Sequence, residues 1–417
     1  MPAHSHSHST ADEAPPSPEI VTRRRRATWL MLLVLVPIAL ATVVGLIALW
    51  PSGETSRAQQ AAETFQPPGT SYPDATVQSL DTYDCSDSST SGQQLTCGTA
   101  VVEVTDGDGE GDFVSVDLPP EVVGTGVQVG DGFVLTRMVD ATTGSPSYSF
   151  SDFQRTTPMV VLALAFVLVV ALVARVRGIA ALLGLGFAFL ILLKFILPGI
   201  LTAESPTLVT LVGSSAIMFV VLYLAHGFTT RTTTALIGTL FGLVLVAVMG
   251  AVAVSAAKLT GFSSEATIQL QTFDPSLDFS GLVLAGIAVA GLGILNDVTI
   301  TQASAIWQLN EVDPTMTVRQ LFTRGMQVGR DHIASTIYTI VFAYAGAALP
   351  LLLLIEIYDR PFGVVLTGTE IGEEVIRTLV GAIGLILAVP VTTAVGAFFA
   401  KAAGDKPAPK LLARFAR

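Results

Sequence analysis

Charge is what this sequence is shortest of. Only 13 % of its residues are charged, where soluble domains carry about 25 %, so the solvated surface of a soluble globule cannot be built from it. Cysteine is nearly absent as well. The two present, Cys85 and Cys97, allow one disulfide and no cysteine-rich framework. There is no Gly-x-x-x-x-Gly-Lys phosphate cradle and no His-Glu-x-x-His pair, which excludes an ATP-driven pump within the chain and a zinc protease of that type. Ser215 and His226 share one apolar run, but their separation in sequence corresponds to about 16 Å along a helix, too far for a nucleophile–base pair. No enzyme activity and no cofactor are expected.

What the chain does have is apolar length. Just over half of it, 51 %, is hydrophobic, in repeated runs that match the ~20 residues needed to cross a bilayer. The spans expected are 29–50, 158–174, 179–201, 207–225, 234–257, 281–304, 333–356 and 376–400. The fold class is therefore an all-α polytopic membrane bundle of about eight transmembrane helices, with a small exported β-domain, barrel or sandwich. The first span follows Arg23–Arg26 and is longer than the 7–15 residues of a cleaved signal's apolar core, so it reads as a signal anchor.

Basic residues test that threading. With the N-terminus inside, Arg23–Arg26, Arg175, Arg177, Arg231, Arg319, Arg324, Arg330, Lys401, Lys406, Lys410, Arg414 and Arg417 fall on the cytoplasmic side, which is 15 of the 22 lysines and arginines. This is the sign the positive-inside rule requires. Both termini are then cytoplasmic in a bacterial plasma membrane, with residues 51–157 outside. Lys194 lies within a span, near its outer end, where its long stem allows the ammonium to reach the interface.

The net charge of −11 belongs mostly to one segment. Glu54 to Asp152 holds 16 acidic residues and two basic ones, Arg57 and Arg137, so the acidity describes an exported domain. No nucleic-acid partner is implied. Residues 1–28 form a polar, Pro-rich tail carrying His4, His6 and His8; 51–76 reads as a linker; 77–155 as the β-domain; 156–404 as a seven-helix membrane domain; 405–417 as a basic tail. In the β-domain, runs such as "TAVVEV" and "FVSVDL" alternate apolar and polar residues between Gly and Asp clusters. The two cysteines lie here, in an oxidising compartment, and one disulfide loop is expected. Residues 106–117, "DGDGEGDFVSVD", place Asp106, Asp108, Glu110 and Asp117 at calcium-loop positions 1, 3, 5 and 12 with glycine at 6. Position 12 is Asp rather than Glu and the flanks are strand-like, so a glycine-rich hairpin turn is the simpler reading, and no metal is assigned.

The membrane region holds the less ordinary polar groups. Asn296 and Asp297 interrupt an apolar run, although an ionised Asp at the centre of a membrane helix costs roughly 3 kcal/mol. The same helical face continues through Thr301, Ser304 and Gln308, and is preceded by Gly286, Ala290 and Gly293, small residues that permit close helix approach. The next span carries Asp331, Ser335 and Tyr338 or Thr339 on one face, with Arg330 and His332 beside Asp331. The two stripes are expected to meet near the cytoplasmic side, facing protein or a cavity. Between the spans, Asp313 or Thr315 is expected to cap a helix whose apolar face holds Val318, Leu321, Phe322 and Met326. That helix would lie in the interface or pack on the bundle.

"GILNDVTITQASAIWQL", followed by "LFTRGMQVGRDHIASTIYTIVFAYAGAALPLLLL", resembles the signature region of the YibE/F-like family of bacterial membrane proteins. The shared features are a glycine-rich helix with a membrane Asp, then a Gly-x-x-x-Gly-Arg-Asp motif opening a Thr- and Tyr-bearing helix. The similarity covers about residues 150–400. Thr301 and Gln302 stand where a Ser-Ile pair is expected. The resemblance implies a multi-span, permease-like protein.

Two function classes follow. The first is a permease or ion-coupled secondary transporter, its path lined by Asn296, Asp297, Thr301, Ser304, Arg330, Asp331, Ser335 and Tyr338, with an ion or small solute as partner. Prolines 198, 350 and 390 support it by freeing backbone carbonyls within spans. The second is a non-transporting assembly or sensor protein whose exported β-domain binds a ligand or partner. Beyond the bilayer, a homo-oligomer or a partner membrane protein fits either class. The bland alternative is that Asp297 pairs with Arg330 to lock two helices.

Overall fold

A computed structural model describes residues 18–51, 56–65, 69–85, 95–140, 142–202, 205–358 and 361–403. Of the disordered tail expected over residues 1–28, residues 1–17 lie outside them and 18–28 are helical; the basic tail expected at 405–417 lies outside them. The chain forms two compact units, residues 57–173 and the sequence flanking that segment.

The smaller unit opens with a short helix. After α1 (Pro18–Ala48), which belongs to the larger unit, the smaller unit's elements in order are α2 (Arg57–Phe65), β1 (Asp74–Asp84), β2 (Thr96–Val104), β3 (Phe113–Leu118), α3 (Pro120–Val123), β4 (Gly132–Val139) and β5 (Pro146–Phe153). All strands belong to one antiparallel sheet of order β3-β2-β1-β4-β5. Edge strands β3 and β5 also approach each other, so the sheet curls toward a partly open five-stranded barrel. Its alternation is the one read in the sequence: Val77, Ala100, Val102, Val104, Val116, Leu118 and Leu135 point to the core. Phe133, Phe150 and Phe153 close it edge to face at 4.9–5.5 Å, a preferred aromatic geometry. Cys85 and Cys97 are joined by a disulfide across β1 and β2. The residues between them, 86–94, lie outside the described set.

The larger unit is helical. It contains α1 and, after α4 (Thr156–Ile191), a π-helical turn (Leu192–Ile196), α5 (Leu197–Thr202), α6 (Pro206–His226), α7 (Thr230–Ala256), α8 (Glu265–Phe273), α9 (Phe279–Val312), α10 (Val318–Ala347), α11 (Leu349–Tyr358), α12 (Phe362–Leu366) and α13 (Thr369–Ala403). Side chains set the starts. Ser205 and Thr229 accept from Leu208 N and Thr232 N at α6 and α7, and Asp278 accepts from Gly281 N at α9. Each satisfies an amide that the helix leaves unpaired.

Helices α7, α9 and α13 pack on one another at the centre, with α6, α10 and α1 against them. The core is Leu236, Leu243 and Val246 of α7, Ile287, Leu295 and Val298 of α9, and Leu385 and Val389 of α13. Glycine allows the closest approach: a Cβ at Gly238 of α7 would overlap the Thr392 hydroxyl of α13.

Among the described residues six helices are long and apolar enough to cross a membrane, or seven with the pair α10–α11, which bends by 66°. The sequence count was eight. The difference lies in Thr156–Thr202, which runs for 47 residues, about 70 Å of helix against a hydrocarbon core of about 30 Å. Arg175 has non-helical angles (φ 52°, ψ −135°), a break between the two runs expected at 158–174 and 179–201. The cap expected before residue 318 needs correction. Asp313 ends α9 instead, accepting from Thr315 N and Oγ1, while Thr317 caps α10 in a capping box with Gln320. Thr317 wins because its glutamine partner stands three residues on. The amphipathic segment is continuous with the span that follows it, and Leu321 packs with Ile306, Ala397 and Ala400.

Candidate functional site in the helical bundle

The α9 and α10 helices run antiparallel, and two contacts fix their register. Ile306 fills the space beside Gly325, and Gln302 lies against Gly329, where a Cβ would come 3.1 Å from its Oε1. Carried up the pair, this puts Asp331 level with residue 300, within about 5 Å of Asp297 in height. The two aspartates thus share one level of the bundle. Asp297 is the nineteenth residue of the 34 in α9, about 27 Å from its start.

Neither carboxylate is covered by the chain. Asp297, Arg330, Asp331 and Ser335 are exposed, and Tyr338 is 66 % exposed. Thr301 and Ser304 are half-buried, and Thr301 Oγ1 donates to the Asp297 carbonyl at 2.6 Å. Among the described residues no ion pair joins Asp297 or Asp331 to Arg330 or to any other base. The stripe was expected to face protein or a cavity; it lies on the outward flank of the single chain. Asn296 turns further inward, and its Oδ1 is buried with no hydrogen-bond partner. Lys194 sits exposed in the π-helical turn.

Apart from Asn296, the inward polar groups are ones the sequence reading did not select. Gln302 is 2 % exposed; its Nε2 donates to Gly325 O of α10 at 2.9 Å and to Thr393 Oγ1 of α13 at 2.7 Å. One side chain therefore ties three helices. A second tie is the 2.6 Å hydroxyl pair of Thr239 on α7 and Thr299 on α9, both fully buried. Thr392 and Thr393 also donate to the carbonyls of Ala388 and Val389, beside Pro390, which lacks an amide. The available signal was Gln302 interrupting the apolar row Leu295, Val298, Ile306.

A third polar group lies toward the start of α13. Arg377 Nη2 donates to Glu373 Oε1 at 2.9 Å, and its Nη1 lies 3.6 Å from Glu374 Oε2. Arg377 is the second residue of the span expected at 376–400; the helix starts earlier, at Thr369.

In the sheet unit, the acidic loop 106–117 does not converge. Asp108 lies 3.9 Å from Arg137, Asp112 accepts from the Tyr148 hydroxyl at 3.2 Å, and Asp117 accepts from Thr99 across β2 and β3. Glycines 107, 109 and 111 all take positive φ, so the segment is a tight turn that only glycine adopts without strain. No group of three or more metal-ligating side chains forms among the described residues.

A family model for YibE/F-like proteins matches residues 162–402, more than half of the chain. The chain belongs to the YibE/F-like family. The YibE/F-like region takes in α6, α7, α9, α10 and most of α13, hence every polar group of the bundle named above, and begins after the sheet. No curated protein and no solved structure matches the chain.

Proposed function

We propose that this multi-pass protein is a plasma-membrane permease, with both termini cytoplasmic and the sheet unit outside, that passes a small ion or polar solute along the α9–α10 face. The observation that carries this reading is the pair Asp297 and Asp331, at one level of two apolar helices, exposed and without an ion pair. Hydrocarbon cannot solvate such groups, and intramembrane carboxylates belong to bundle interiors or water-filled paths. The helix-lock alternative needs Asp297 bonded to its neighbour helix, and its carboxylate makes no such bond. In this reading Asp297 is the charge that a cation or proton meets, Asn296 offers an inward carbonyl oxygen, and Thr301, Ser304, Ser335 and Tyr338 line the way. Arg330 sets the charge at the end of that path.

The test is thermal unfolding of detergent-purified protein against a panel of ions, pH values and small metabolites, beside Asp297→Asn. A ligand bound only by the folded state stabilises in proportion to the logarithm of its saturation, about 2.7 kcal/mol at 100 times Kd. The proposal expects a ligand that raises the wild-type midpoint and leaves the variant unchanged. A variant that unfolds earlier, with no ligand distinguishing it from wild type, would contradict it.

A further inference from the structure

We propose that Glu373 and Glu374, with Arg377 and Tyr344, form a site for one monovalent cation, a proton or an alkali metal ion. The site is separate from the α9–α10 face and is stated as binding, so it does not depend on the permease reading. Its atoms are unusual in three ways. First, Glu373 sits in a spanning helix with its side chain only 8 % exposed. Second, its Oε2 is buried and accepts no hydrogen bond, and the same holds for Glu374 Oε1. Third, the one base in contact among the described residues, Arg377, spends Nη2 on Glu373 and Nη1 toward Glu374, while its Nε is buried and unpartnered.

Counting charge, two carboxylates meet one guanidinium. A formal charge of −1 is left over in an apolar surrounding, where an uncompensated ion costs several kcal/mol. Among the described residues the other elements packed there add no positive group. Helix α9 presents Gly286, where a Cβ would lie 3.9 Å from the Arg377 guanidinium. Helix α10 presents half-buried Tyr344, within electrostatic reach of Glu374 and Arg377. Helix α7 also packs on α13, and Val248, Met249 and Val252 line an apolar cleft with Ile376 and Val380, next to these residues along the helix. Helix α12, which packs on α13, carries no titratable side chain. A single positive charge neutralises the cluster and takes up the free carboxylate oxygens.

A surface ion pair would explain the Glu373–Arg377 spacing of four on a helix, but such a pair keeps its spare oxygens in water. Here they are out of water. Gly286 is seven residues into α9, about 10 Å from its start, so the cluster is within reach of one end of the bundle and not at its middle.

The experiment uses the full chain in detergent or nanodiscs and has two arms. In the first, a hydrophobic carbodiimide, which modifies protonated carboxyls in apolar sites, is reacted with wild type across pH 5.5–8.5, and Glu373 and Glu374 are read by peptide mass spectrometry. In the second, thermal midpoints of wild type, Glu373→Gln and Glu374→Gln are measured against sodium, potassium and choline at fixed pH. A proton site predicts labelling at one of the two glutamates that falls at least tenfold as pH rises, insensitive to sodium and potassium. An alkali-ion site predicts a wild-type midpoint rising with sodium or potassium but not choline, and a flat response in Glu373→Gln. Labelling that is absent at every pH, together with equal salt responses in all three proteins, would overturn the proposal.

Discussion

At the scale of the residue, the bundle distinguishes polar groups that hold it together from polar groups that remain available. Gln302 is of the first kind. Its two hydrogen bonds reach α10 and α13, and interhelical bonds in membranes contribute about 0.6 kcal/mol on average and up to about 1.7. Gln302→Leu is expected to lower stability by about 1–2 kcal/mol, read by thermal unfolding in detergent, with Asn at the same position failing to restore it because its shorter arm cannot span both acceptors. Asp297 is of the second kind, so its replacement by Asn is expected to cost far less stability than loss of Gln302. Sequence spacing found the face that holds Asp297 but not the direction in which it points. A helical stripe is defined by its own residues, whereas its orientation is set by Gly325, Gly329 and Thr393 on other helices. In the sheet unit, Asp140 accepts from the backbone amides of Thr142 and Thr143, and those bonds hold its carboxyl below the usual value. A depressed folded value means stabilisation present above the ordinary carboxylate range, about pH 4, and lost as pH falls through the folded value. Asp140→Asn is expected to flatten this part of the acid-unfolding curve, measured by circular dichroism below pH 5.

At the scale of the element, strands and hairpins were more legible than contacts. The alternating strands and the cysteine pair follow from near-neighbour chemistry and were read correctly, whereas the Thr317–Gln320 capping box, equally local, was passed over for Asp313 or Thr315. The extent of α13 was not legible either, because Glu370, Glu373 and Glu374 precede the apolar run and look like loop in a hydropathy reading, yet Arg377, one turn on, reaches back to Glu373 and Glu374 within the helix. The disulfide ties β1 to β2 across a separation of 12 residues, a loop length for which a cross-link contributes about 3 kcal/mol. Cys97→Ser is expected to remove that much from the sheet unit. Hydrogen exchange read by mass spectrometry would show faster exchange across β1 and β2, with α7, α9 and α13 unchanged.

At the scale of the molecule, the sequence carried the long apolar helices, the family and the small sheet, since each rests on composition, on alternation or on a long motif. What it could not carry was the partition of the polar groups among the centre of the bundle, the start of α13 and the outward α9–α10 flank. That partition is a property of packing, and the permease reading rests on the last of the three. Thiol accessibility in intact membranes measures it most directly, and the chain suits the method, as its only two cysteines are joined to each other. Single cysteines at Thr301, Ser304, Ser335 and Tyr338 would be exposed to a charged, membrane-impermeant maleimide, beside buried controls at Thr299, Ala303 and Ile340. A water-lined path predicts reaction at all four stripe positions and none at the controls. Stripe cysteines that stay unreacted in the membrane yet react once the protein is in detergent would mean that lipid or another protein covers this face, and would contradict the account.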